Sequence, residues 1–174
     1  MALRQILTEP NEILRQKSLL VENVDKDLQG LMDDMLETMY AAPGIGLAAI
    51  QIGIPKRVIV MDIAQKEGPK KPMFFVNPEI LSKSENNTTY EEGCLSVPGQ
   101  FAEIARPERC QIRYLDYYGQ KIETEVEGMF ATCIQHEIDH LEGILFIDYL
   151  SRLKKSFIIK KLSKQKKAIE RIVV

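Results

Sequence analysis

The stretch Gly128-Met129-Phe130-Ala131-Thr132-Cys133-Ile134-Gln135-His136-Glu137-Ile138-Asp139-His140-Leu141-Glu142 holds both histidines of the chain, four residues apart, with a Glu directly after the first. The pattern predicts a helix over about 128–142, ended by Gly143. On a helix, positions i and i+4 lie on one face about 6 Å apart along the axis, so His136 and His140 can hold one cation. Glu137 falls nearby on the same surface, within reach of water at that cation without being a ligand, which suits a general base. This is a catalytic metal-site pattern, and the fold is expected to be built around the helix that carries it.

A catalytic site of this kind needs a third protein ligand. Downstream, Gly143 is where an extended zinc-protease pattern would have it, but Phe146 stands where the third His would be, and acidic residues are scarce until Glu170. The ligand is therefore expected upstream, among Cys94, Cys110 and Cys133. Cys94 lies in the turn-like run Glu91-Glu92-Gly93-Cys94-Leu95-Ser96, with Pro98-Gly99 following, and can aim a thiolate at the helix. Cys133 reads as a wall or core residue, and Cys110, opening a strand, as buried packing. Cys94, His136 and His140 together make a three-ligand site with an open position.

Outward from the motif, Asp25 to Tyr40 carries Leu28, Leu31, Met32, Met35, Leu36 and Met39 at helical spacing, stopped by Pro43-Gly44. Short β-type runs follow at 48–51, 57–62 and 73–77, and on either side of a hairpin turn at Tyr118-Gly119. The expected fold is α+β: antiparallel strands packed around a central metal-binding helix, with an N-terminal and a C-terminal helix, in one domain spanning 1–174.

Composition sets further bounds. At 174 residues and 45% apolar content the chain can bury a real core. No run of eighteen apolar residues occurs and Met1-Ala2-Leu3-Arg4-Gln5 is no signal peptide, so a cytoplasmic protein without a membrane partner is expected. Three cysteines, one of them assigned to a metal, do not make a disulfide framework. Residues 151–174 hold nine of the 23 basic residues and one of the 25 acidic ones, a net +8 against −10 for the rest. A basic helix at about 151–171 is expected, docking through Leu153, Phe157, Ile158 and Leu162, with a cationic face able to meet nucleic-acid phosphates.

Three motifs give the chain a family resemblance. Gly44-Ile45-Gly46-Leu47-Ala48-Ala49-Ile50-Gln51, Glu92-Gly93-Cys94-Leu95-Ser96 and Gln135-His136-Glu137-Ile138-Asp139-His140 resemble, in order and spacing, the signatures of peptide deformylases, and the similarity runs from Ile6 through the C-terminal helix. The first motif alone is weak, since a Gly-rich turn entering an apolar run is usually only structure.

The resemblance implies hydrolytic removal of the formyl group from N-terminal formyl-methionine of nascent polypeptides, releasing formate. It implies Cys94, His136 and His140 as metal ligands and Glu137 as the proton carrier. Gln51, by its side-chain amide, and Leu95, by its backbone N–H, would donate to the oxyanion, each such donor lowering a barrier by about 3–4 kcal/mol. A methionine pocket is implied near Ile45, Met129 and Cys133, although Met129 reads equally well as core, with Gly46 and Gly93 letting the substrate backbone approach. Thiolate ligation softens the site; zinc suits it chemically, the resemblance implies ferrous iron, and nickel or cobalt are workable substitutes. The ribosome is the partner implied for the basic helix. Phe101 departs from the family, where many members carry Arg, which leaves the outer substrate contacts open. Glu92 and Arg106 are expected to pair and brace the cysteine loop. Two other readings stand beside this one: an ordinary His-Glu-x-x-His metallopeptidase, against which the Cys ligand speaks, and a non-catalytic, metal-stabilised RNA-binding module.

Overall fold

The computed structural model describes residues 2–64 and 68–173, with side chains through residue 167, so Glu170 and Arg171 of the basic tail lie outside the described side chains. The helix α1 (Lys26–Ala41) begins at the Asp25 cap, whose carboxylate accepts the Leu28 N–H at 2.8 Å. Seven strands follow: β1 (Gly46–Ala48), β2 (Val58–Met61), β3 (Met73–Lys83), β4 (Asn87–Cys94), β5 (Val97–Pro107), β6 (Arg109–Leu115) and β7 (Lys121–Glu127). The motif helix α2 (Gly128–Leu141) comes next, and α3 (Arg152–Val173) ends the chain. The strands form a five-stranded antiparallel sheet, ordered β1-β2-β3-β6-β7, and a separate β4-β5 ribbon.

Side-chain alternation in β2 explains the layering. Ile59 and Met61 point to one face of the sheet and Val58 and Val60 to the other, and all four are fully buried. On the first face they meet Ala131, Ile134, Ile138 and Leu141 of α2, together with Phe75 and Ile112. On the second they meet Leu28, Met32, Met35 and Met39 of α1. Each such side chain taken from water contributes about 1.5–3 kcal/mol. The ribbon covers the other side of α2, joined there by Leu145, Phe146, Ile147 and Leu162. The motif helix is thus the central layer, as the α+β expectation has it.

The helix stops where it does for a steric reason. Gly143 takes φ +75°, and a Cβ there would run into the backbone carbonyl of Arg15. The last-turn carbonyl of Leu141 accepts the Ser18 N–H at 2.8 Å, so the end is satisfied by tertiary structure.

Four expectations need correction. Residues 49–51 are not strand: Ala49–Ile52 is a 3₁₀ turn closed by Gly53, and pairing with β2 ends at Ala48. The strand expected at 73–77 runs on to Lys83. The ribbon over 87–107, which the β-type runs omitted, is regular pairing from Asn87↔Pro107 to Gly93↔Phe101, with a bulge before Cys94↔Val97. In α3, Ile158 and Leu162 pack down as expected, but Leu153 and Phe157 stay 69% and 65% exposed. At 3.6 residues per turn, 158 and 162 stack on one face and 153 and 157 on another.

Candidate metal centre

Helix α2 delivers three of the site's side chains from one face. His136, Glu137 and His140 are all buried, and the two imidazole centroids stand 5.1 Å apart. Cys94 arrives from the ribbon, where the bulge after Gly93 and the two-residue Leu95-Ser96 turn bring its sulfur 3.4 Å from His140 Nε2. The ligand atoms of Cys94, His136 and His140 all lie within 4.8 Å of one another. Burial, with the charges of His136, Arg106 and Arg15, pushes the His140 imidazole well below its ordinary value. A neutral imidazole is the form that ligates a metal.

Glu92 sets the orientation of His136. Its Oε1 accepts His136 Nδ1–H at 2.9 Å, which turns the Nε2 lone pair toward the cysteine. The same carboxylate is clamped by Arg106, with Nε to Oε2 at 2.6 Å and Nη2 to Oε1 at 3.0 Å. Burial pushes the Glu92 carboxyl up, but its hydrogen bonds with His136 and Arg106 outweigh that and hold it below the ordinary range. The expected Glu92–Arg106 pair is present, and both residues are buried.

The donor set suits a divalent cation of borderline softness: one sulfur, two imidazoles and a carboxylate that is not a ligand. Glu137 Oε2 is buried without a hydrogen-bond partner, and the residue lines the cavity next to Cys94 and His136. Burial pushes the Glu137 carboxyl up to about 7, with His136 lowering it and Glu92 raising it. A carboxyl tuned to that range can both accept and return a proton near neutrality.

Beside Cys94 and His136 opens a cavity of about 550 Å³. Ile45, Met129 and Cys133 of the expected methionine pocket line it, as do Gly46 and Gly93, expected beside the substrate backbone. Met129 is 42% exposed at the start of α2, which makes it a cavity wall rather than core. Gly46 has a further reason to be glycine, since a Cβ there would collide with Glu137 Oε1. The Phe101 ring covers Gly93, where an added Cβ would come within 2.6 Å of it.

Gln51 and Leu95 also line the cavity. The Gln51 amide is oriented without ambiguity: Oε1 accepts the Ala48 N–H at 2.9 Å, and Nε2 donates to Ser96 Oγ at 3.0 Å and lies 3.6 Å from Cys94 Sγ. Its N–H₂ group therefore faces the sulfur side of the site. Residue type alone assigns no role to Ser96, which is fully buried, or to Asp139, which accepts from Arg106 Nη1 at 2.9 Å. Both lie inside recognised motifs, but only the contacts show what they hold.

A layered α+β protein with a Cys-His-His donor set, a buried carboxylate and an adjoining cavity is of the class of metal-dependent hydrolases. Residues 3–156 match the family described as polypeptide deformylase. The chain is 64% identical over 174 residues to the peptide deformylase of Pelagibacter ubique, covering all of both, and 62% identical to that of Phenylobacterium zucineum, covering 97% of this chain and 99% of the other. Its structure is similar to the crystal structure of Ehrlichia chaffeensis peptide deformylase in complex with actinonin, with TM-score 0.90 and 44% identity over 95% of this chain and 98% of that one. Legionella pneumophila peptide deformylase matches with TM-score 0.89 and 45% identity, over 98% and 99%. The chain belongs to the polypeptide deformylase family, enzymes that remove the N-terminal formyl group of nascent polypeptides by metal-dependent hydrolysis.

Proposed function

We propose that this chain works as one deformylase domain over 1–174 in which Cys94, His136 and His140 hold the metal and Glu137 moves the proton. The observation that carries this is the convergence of sulfur and two imidazoles next to a buried carboxylate that has an oxygen without a partner. Bound there, a divalent cation supplies Lewis acidity toward water and toward the formyl carbonyl. Glu137 takes the proton of the attacking water and returns it to the amine nitrogen as the C–N bond breaks, leaving formate and a free amino terminus. The Gln51 amide and the Leu95 N–H donate to the oxygen on which charge develops. Ile45, Met129 and Cys133 take the methionine side chain, while Gly46 and Gly93 keep the backbone path clear.

Ferrous iron is the metal we assign, on the family resemblance; the thiolate softens the site without choosing between metals, and nickel, cobalt or zinc are workable substitutes. The substrate comes from the ribosome, so we place the enzyme in the cytoplasm and assign α3 as its ribosome contact. Lys154, Lys160, Lys161 and Lys164 on α3, together with the exposed Leu153 and Phe157, support that assignment. No helix among the described residues is long and apolar enough to cross a membrane.

The test uses anaerobically purified, iron-loaded protein with formyl-Met-Ala-Ser and acetyl-Met-Ala-Ser. Formate from the first peptide alone, abolished in Glu137→Ala, is the expected result; internal cleavage of either peptide would replace the assignment with a peptidase. Removal of residues 155–174 should abolish ribosome binding, and binding by the intact chain should weaken steeply with salt.

A further inference from the structure

We propose that Tyr149 is a positioning residue for the metal centre, acting on His136 through Asp139, Arg106 and Glu92. The inference rests on the assignment of His136 as a metal ligand. Tyr149 lies in the 3₁₀ turn Phe146–Tyr149, between α2 and α3, and is 52% exposed, outside the residues lining the cavity.

An unbroken set of hydrogen bonds nevertheless connects it to the buried imidazole. The phenol O–H donates to Asp139 Oδ2 at 2.7 Å, and that same oxygen accepts Arg106 Nη1–H at 2.9 Å. The guanidinium places its remaining forked donors on Glu92, at 2.6 and 3.0 Å, and Glu92 accepts the His136 Nδ1–H at 2.9 Å. The Tyr149 ring also covers the guanidinium, with Arg106 Cζ 5.0 Å from the ring centroid.

These contacts draw on four separate elements: β4 for Glu92, β5 for Arg106, α2 for His136 and Asp139, and the 3₁₀ turn for Tyr149. A guanidinium is planar and its fork has one orientation on a carboxylate. Fixing its far edge through Asp139 and its face through the Tyr149 ring therefore fixes Glu92, and Glu92 fixes the direction of the His136 lone pair. Without the phenol, Asp139 Oδ2 loses one of its two donors, and the Arg106 plane is free to tilt.

Tyr149→Phe removes the hydroxyl and keeps the ring on Arg106. Full-length wild type and variant, loaded with cobalt, are compared by visible absorption, by competition of the bound cobalt against a chelator, and by the unfolding midpoint of the metal-free chains. The expected result is a shifted set of cobalt d–d bands and cobalt held about tenfold less tightly, the low end of what loss of a ligand's outer partner costs. The metal-free midpoint should stay near that of wild type. Unchanged bands and affinity, with or without a lowered midpoint, would make Tyr149 a structural staple only and overturn the proposal. In an Asp139→Asn background the same change should have a reduced effect; full additivity would exclude the route through Asp139. Absence of a sulfur-to-cobalt charge-transfer band in the wild type would instead overturn the ligand assignment beneath it, so the two failures are distinguishable.

Discussion

The two layers against α2 differ in what they ask of their residues. On one side, the five-stranded sheet meets the helix with Ile59, Met61, Phe75 and Ile112, all fully buried and all apolar. On the other, the β4-β5 ribbon meets it with Cys94, Glu92 and Arg106, a sulfur and an ion pair. Burial on the sheet side is favourable residue by residue and tolerant of register only through the alternating pattern. Burial on the ribbon side is costly for each charge alone, and is stable because every member of the cluster supplies another's partner. The sheet therefore holds the helix in place, and the ribbon orients an imidazole that the helix carries.

Glu137→Ala sharpens this contrast most. It should lower deformylation of formyl-Met-Ala-Ser about 10²- to 10⁴-fold, the span of general-base catalysis, in steady-state assays. The unfolding midpoint should not fall, because the deleted carboxylate is buried with an oxygen that has no partner. Phe75→Ala is its counterpart on the sheet side: a loss of about 3–5 kcal/mol in denaturant titration, with the folded fraction keeping its turnover. Activity lost out of proportion to folding would show that the sheet also shapes the site.

Glu92→Ala should do both kinds of damage at once. It leaves Arg106 buried without its main partner, a loss of about 3–5 kcal/mol, and weakens metal retention about 10- to 100-fold in chelator competition. A variant that lost stability alone would detach Glu92 from the orientation of His136.

Smaller effects are expected farther out. Asp25→Ala removes the α1 cap and should cost about 1 kcal/mol by thermal unfolding, with activity untouched. Burial pushes the Asp148 carboxyl up, but hydrogen bonds from Lys155, Arg15 and the Leu145 N–H outweigh it and hold it below its ordinary value of 3.8. A carboxyl depressed in the folded state stabilises above its unfolded pKa, and that contribution disappears as pH falls through the folded one. Stability should therefore drop from about pH 4 downward, and Asp148→Asn should flatten that limb by about 0–1 kcal/mol in acid titrations of unfolding.

Much of this was legible in the chain itself. The His136-Glu137-x-x-His140 spacing needs only helical periodicity to become a two-imidazole site, and the Asp25 cap and the Gly143 stop are local signals. The heptad-like run in α1 and the unbroken apolar run of β2 are equally local, the second because that strand is buried on both faces. Less visible was the ribbon, because Gly93, Pro98 and Gly99 read as turn residues, although 87–107 pairs as a hairpin across the short Leu95-Ser96 turn. Gln51 misled in the same way: an apolar run of strand type becomes a 3₁₀ turn once pairing with β2 ends at Ala48, and that turn delivers the amide to Cys94.

The sequence by itself determined the helix that carries His136, Glu137 and His140, the turn-like setting that marks Cys94 off from Cys110 and Cys133, and the charge asymmetry of α3, because each depends on residue type and short-range periodicity. Only the tertiary structure decided that Glu92 rather than solvent orients His136, that Gln51 turns its N–H₂ toward the cysteine, that Gly46 yields its side-chain space to Glu137, and that Tyr149 joins the cluster. Those choices depend on where four elements distant in sequence meet, and a hydrogen bond, unlike an apolar face, exists only when both of its atoms are placed.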